Sequence, residues 1–130
     1  MKRSVFIKFS TYAAAAVAVP FLNSCKENAF NPAIAQPQFL SHFFDEKTML
    51  ETGRVYLKQA REENSKNKIV DLLTNNSSVT AASDEKTVYA AMDKKVQQDF
   101  EKGKIAIVDG WVLSVTEARQ CALYALTQQK

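Results

Sequence analysis

The sequence predicts an all-α fold, a small helical bundle of about four helices with a short extended, hairpin-like element before the last one. Three observations predict it. Apolar residues recur at helical spacing in successive stretches, each opened by a capping residue. Only one run, Lys104 to Leu113, is rich in β-branched residues, and Asp109 and Gly110 interrupt it. The 130 residues, 46% hydrophobic and 24% charged, suit one modest core and therefore one domain.

Taken in chain order, the first element is a leader. Residues 1–25 read MKRSVFIKFSTYAAAAVAVPFLNSC, a basic start, an apolar stretch from Phe9 to Leu22, then polar residues before a cysteine. This is the order of an export signal peptide, assigned to residues 1–24. The apolar stretch reaches only about 21 Å as a helix against a hydrocarbon core of about 30 Å, and Pro20 interrupts it, which disfavours a membrane span. Leu22, Asn23, Ser24 and Cys25 resemble a bacterial lipobox, with Asn23 a departure from its usual small or apolar residue. Lipidated Cys25 is then the mature N-terminus, because several acyl chains at about 0.8 kcal/mol per buried methylene give a stable anchor. Lys26 and Glu27 resemble surface-export signals of some Gram-negative lipoproteins. Lys2, Arg3 and the residues to Lys8 resemble a twin-arginine signal, with Lys2 in place of the first arginine; the general secretory and twin-arginine routes both stand.

Residues 26–38, KENAFNPAIAQPQ, carry two of the three prolines and no sustained period, so residues 25–38 are read as the lipidated cysteine and a tether, and residues 39–130 as the single helical domain. From Asp45 to Glu63, Met49, Gly53, Tyr56, Leu57 and Ala60 share one helix face, with Asp45 capping and Glu46 complementing the helix dipole. Gly53 on that face implies a close approach by another helix. Ser65 caps a second helix carrying Ile69, Val70, Leu72 and Leu73, which ends at the polar run Asn75 to Ser78. Ser83 is expected to cap a third, in which Val88, Met92, Val96 and Phe100 repeat every four residues up to Gly103. Asp109 and Gly110 form a two-residue hairpin signal between arms of about four residues. Ser114 followed by Glu117 is a capping box. The last helix, apolar almost all round from Cys121 to Leu126, belongs in the middle of the bundle.

Charge and motifs narrow the function. The formal net charge is +3, but Lys2, Arg3 and Lys8 lie in the leader, and beyond it basic and acidic residues balance at 14 each. That removes the compositional case for nucleic acid. The single histidine, His42, lies among Phe39, Leu40, Phe43 and Phe44 and reads as packed or surface, not as a base or metal ligand. With Cys25 lipidated, Cys121 is the only thiol, which excludes an internal disulfide and reads as buried and inert. No phosphate-cradling glycine loop is present. The residues thus offer no catalytic, cofactor-binding or metal-ligating set.

Three stretches, Phe43 to Glu63, Val96 to Trp111 and Val108 to Leu123, resemble the small exported proteins related to gluconate 2-dehydrogenase subunit 3 and the small subunits of membrane-bound sugar and alcohol dehydrogenases. The most specific part is Gly110, Trp111, Leu113, Ser114, Thr116, Glu117, Ala118, Arg119 and Cys121, with Gly53 and Tyr56 in support. The resemblance implies an accessory subunit without a cofactor of its own. Its partner would be an FAD-carrying flavoprotein of the glucose-methanol-choline type, and the small subunit would aid export, maturation or membrane anchoring at the cell envelope. A stand-alone envelope lipoprotein that binds a ligand or envelope component is the alternative. Gly53, Tyr56, Gly110, Trp111, Ser114, Glu117 and Arg119 are the structural or interface candidates. Among them, Trp111 is expected in the core ahead of an interface role and Glu117 as a capping partner ahead of an acid catalyst. Arg119 pairs with a carboxylate of this domain or of a partner.

Overall fold

The computed structural model describes residues 30–128. Residues 1–29, on which the expected export signal and Cys25 fall, and residues 129–130 lie outside the described residues. Four α-helices and one two-stranded antiparallel hairpin follow in the order α1 (Glu46–Gln59), α2 (Lys66–Thr74), α3 (Glu85–Glu101), β1 (Ile105–Val108), β2 (Trp111–Ser114) and α4 (Val115–Thr127). The helical bundle with a hairpin before its last helix is the architecture read from the sequence.

The helix starts follow from local chemistry. Each side-chain oxygen accepts from an amide that the helix leaves free: Asp45 from Thr48 N at 2.8 Å and Ser65 from Lys68 N at 3.1 Å. At α3 the cap is Asp84, accepting from Thr87 N at 3.0 Å, and not Ser83, whose hydroxyl instead accepts from Thr80 N at 2.9 Å. The helix read through to Glu63 stops at Gln59; Ala60 leaves helical geometry and a 3-10 turn, Arg61–Glu63, follows. Gly103, at φ +72°, closes the turn after α3.

α4 forms the centre. Ala118, Cys121, Ala122, Leu123 and Ala125 are fully buried, and every other helix packs on it, α1 most extensively. The small residues let α1 approach closely. A Cβ on Gly53 would lie 2.2 Å from the Cys121 carbonyl oxygen, so only glycine fits there. Around this axis Ile69 and Leu73 of α2, Val88 and Met92 of α3, and Val108 and Leu113 of the hairpin close the core. Each large aliphatic side chain removed from water contributes about 1.5–3 kcal/mol.

Residues 31–37 are not a tether. Ala33, Ile34 and Ala35 are buried in a 3-10 turn, Pro32–Ala35, and Gln120 Nε2 of α4 donates to Ile34 O at 3.0 Å. Asn31 fastens the segment to the loop before α3, donating to Ser83 O at 2.7 Å and Thr80 O at 3.2 Å. The packed domain therefore includes residues ahead of Phe39. Their apolar content was too short to show a period, and the bonds that hold them come from distant parts of the chain.

Candidate functional site

Two surfaces depart from what a small solvated domain requires. The first is apolar. Among the described residues, the large hydrophobics left exposed are Phe39, Phe43, Phe100, Ile105, Ile107, Trp111 and Val112, and all fall within residues 39–43 and 100–112. Local geometry brings the two segments together. Phe39 and Phe43 pack with tilted rings on the turn at Leu40–His42, with ring centroids 5.0 Å apart, and the next residue, buried Phe44, packs against Trp111 at 4.7 Å. Asp109 at φ +51° and Gly110 at φ +86° give the tight turn that matches strand twist. Pairing of Ile107 with Val112 and Ala106 with Leu113 then alternates the faces, so that Leu113 enters the core while Ile107 and Val112 face water at 63% and 59% exposure. A groove of about 460 Å³ between Phe39, His42, Val96 and Phe100 extends the apolar surface onto α3.

Trp111, expected in the core, is 45% exposed. Strand alternation sets it beside Val108 on the inward face, but it stands at the hairpin tip, where it packs against Phe44 and stays partly exposed. The α3 stripe behaves similarly: Val88 and Met92 are buried, Val96 is half-buried and Phe100 is exposed.

The second surface is polar and begins with a linked trio. Arg119 grips Glu63 with two parallel bonds, Nε to Oε1 at 3.0 Å and Nη2 to Oε2 at 2.9 Å, while the Tyr56 hydroxyl donates to Glu63 Oε1 at 2.9 Å. Burial and the bond to Glu63 push the Tyr56 phenol up to about 12. Burial alone would raise the Glu63 carboxyl, but the bonds from Arg119 and Tyr56 outweigh it and hold Glu63 below the usual carboxylate value. Arg119 thus pairs within its own domain, and Glu63, its partner, carried no signal in the sequence. Beside the trio opens a cleft of about 440 Å³ lined by Arg119, Lys95, Lys102, Lys104 and Asp99.

The other sequence candidates have structural duties. Ser114 Oγ accepts from Glu117 N at 3.0 Å and Glu117 Oε1 accepts from Ser114 N at 3.0 Å, completing the capping box. Gly53 provides the close approach to α4. Cys121 is buried, and burial with the nearby Glu117 charge pushes its thiol up to about 12. Among the described residues no group of three His, Cys, Asp or Glu is placed to hold a metal ion, and no helix is long and apolar enough to cross a membrane. No family model, curated protein or solved structure matches this chain.

Proposed function

We propose that this chain is a non-catalytic accessory subunit, lipid-anchored at Cys25 in the bacterial cell envelope, that docks onto an FAD-dependent oxidoreductase of the glucose-methanol-choline type and aids its export, maturation or anchoring. One observation carries the reading: the exposed large apolar side chains fall on two segments, residues 39–43 and 100–112, that adjoin at Phe44 and Trp111 and across the groove between Phe39 and Phe100, and Gly110 and Trp111, which belong to the most specific part of the family resemblance, lie at the hairpin end of that surface. Contiguous apolar surface with a half-exposed tryptophan marks docking sites, where aromatic anchors provide much of the binding energy. Glu117 is engaged in a helix cap and Cys121 is buried in the core.

Tagged protein purified from a detergent extract should bring down a flavoprotein with FAD absorbance. Replacing Phe43 and Val112 by Ser should release it without altering the helical circular dichroism. Replacing Cys25 by Ser should move the chain from the detergent to the aqueous phase. Repeated purifications without a flavin would overturn the docking role. The cationic cleft favours a second reading, a stand-alone envelope lipoprotein that binds a ligand or envelope component. A flavoprotein gene beside this one supports the first reading, and its absence the second.

A further inference from the structure

The cleft between α3, the loop after α2 and the first turn of α4 gathers like charge without neutralising it. Arg119 is matched by Glu63, and among the described residues that is the only ion pair. Lys95, Lys102 and Lys104 therefore face one lining carboxylate, Asp99, which is itself engaged: its Oδ2 accepts from Thr116 N at 2.7 Å. Surface lysines ordinarily spread apart into solvent. Here Lys95 is half-buried and held over the cleft by a bond from Nζ to Asn75 O at 3.2 Å. Burial, and then repulsion from Arg119 and Lys104, lower its proton affinity against the pull of Asp99. A cleft lined by an excess of cations, Lys95 half-buried and Lys102 and Lys104 exposed at its rim, is stabilised by an anion that enters it.

The backbone is not the recognition element. Val115 N already donates to Lys104 O at 3.1 Å, Thr116 N to Asp99 and Glu117 N to Ser114, so the first amides of α4 are occupied. The donors left for a ligand are the lysine ammonium groups, Lys95 having given one of its three N–H bonds to Asn75 O. They surplus the lining carboxylate by two charges, and Leu72 and Val115 add an apolar wall. The geometry points to a binding site for a phosphate monoester carrying a short carbon stem, held by Lys95, Lys102 and Lys104 with Arg119 at its back.

That group occurs both on free sugar or glycerol phosphates and on the headgroup of phosphatidic acid. Full-length protein in nonionic detergent would be titrated calorimetrically with glycerol 3-phosphate, and separately mixed with phosphatidylcholine vesicles with and without phosphatidic acid. Saturable binding is expected, weakened about tenfold by Lys95→Gln or Lys104→Gln, since a charged hydrogen bond is lost in each. Lys86→Gln, at an exposed lysine in the first turn of α3, should leave it unchanged. Asp99→Asn keeps an oxygen to cap Thr116 but removes the competing charge, so it should tighten binding several-fold, which a purely structural role for the lysines does not predict. Lysine-dependent binding to the free ester identifies a soluble ligand, and lysine-dependent binding confined to phosphatidic acid vesicles identifies a headgroup. Absence of binding in both arms, or binding indifferent to Lys95→Gln and Lys104→Gln, would overturn the site.

Discussion

Replacing Gly53 with Ala isolates the contact on which the bundle depends. Helix propensity alone favours the substitution by about 1 kcal/mol. Packing opposes it. The added Cβ would stand 2.2 Å from Cys121 O, 2.7 Å from Cys121 C and 3.0 Å from Ala122 N, all backbone atoms of α4 that cannot swing aside. Restoring ordinary contact means moving α1 and α4 apart by roughly 1 Å, which forfeits up to about half of the dispersion energy between atoms across the seam. With some fifty such pairs at about 0.1–0.2 kcal/mol each, the loss is about 2–5 kcal/mol, and the net destabilisation after the propensity gain is about 1–4 kcal/mol. Against a total stability of about 5–15 kcal/mol, this lowers the melting temperature by roughly 4–30 °C. Circular dichroism melts of the parent, Gly53→Ala and Gly103→Ala measure it. Gly103 has open space around it but φ +72°, so alanine there incurs only the left-handed backbone penalty of about 1–2 kcal/mol. A Gly53→Ala protein that melts at or above the parent would refute the reasoning, because propensity would then have outweighed the contact.

Further outcomes follow from the buried polar groups. Glu63→Gln leaves Arg119 half-satisfied and should destabilise the fold by about 1–3 kcal/mol in urea unfolding. Because the folded state holds Glu63 below its ordinary value of 4.5, the stabilisation it gives is present above that pH and fades as pH falls through the lower folded value; Glu63→Gln should flatten this acid limb. Tyr56 acts at the other end: unfolded tyrosine ionises near 10 but the folded phenol near 12, so stability declines as pH rises between them, and Tyr56→Phe should remove that decline. Thr52 Oγ1 is buried without a hydrogen-bond partner among the described residues, so Thr52→Val should raise the melting temperature by a few degrees; a fall would mean that the hydroxyl is satisfied after all. Cys121 should react with a disulfide reagent at pH 8 only at the rate of unfolding, and rapid reaction in the native state would contradict its burial.

What the sequence made legible was local. Asp45, Ser65 and the Ser114–Glu117 box are rules that act within three or four residues, and the Asp109–Gly110 turn needs only two. The third helix starts one position later than its sequence predicts, because Ser83 and Asp84 are neighbouring good acceptors and the loop at Thr80 engages the serine. Contacts between distant parts of the chain left no such trace. Glu63 and Arg119 stand 56 residues apart, and in a chain that is a quarter charged nothing singles out that pair. Ile34 and Gln120 are 86 apart, and a short Pro-Ala-Ile-Ala segment looks like a linker until a glutamine from the central helix meets its carbonyl.

The two unusual surfaces share a helix, and its pattern explains why they are distinct. At about 100° per residue, Asp93, Val96, Gln97 and Phe100 lie on one side of α3, and Lys95, Gln98 and Asp99 on the other. The first set lines the apolar groove and the second the cationic cleft. Neither side is pressed into the core, since burial along α3 ends at Met92. A helix that has left the core needs no further apolar stripe for stability, and an exposed Phe100 contributes little while it stays in water. The four-residue repeat nonetheless continues to Phe100, toward the turn bearing Phe39 and Phe43. Opposite it, Lys95 and Lys102 line the cationic cleft with Lys104. Core burial therefore accounts for the first half of α3, and in the second half, beyond the bond from Thr116 N to Asp99, the proposed docking surface and anion site would account for its two faces. Substitutions at Val96 or Phe100 should then change docking and leave the cleft intact, while Lys95→Gln should do the reverse.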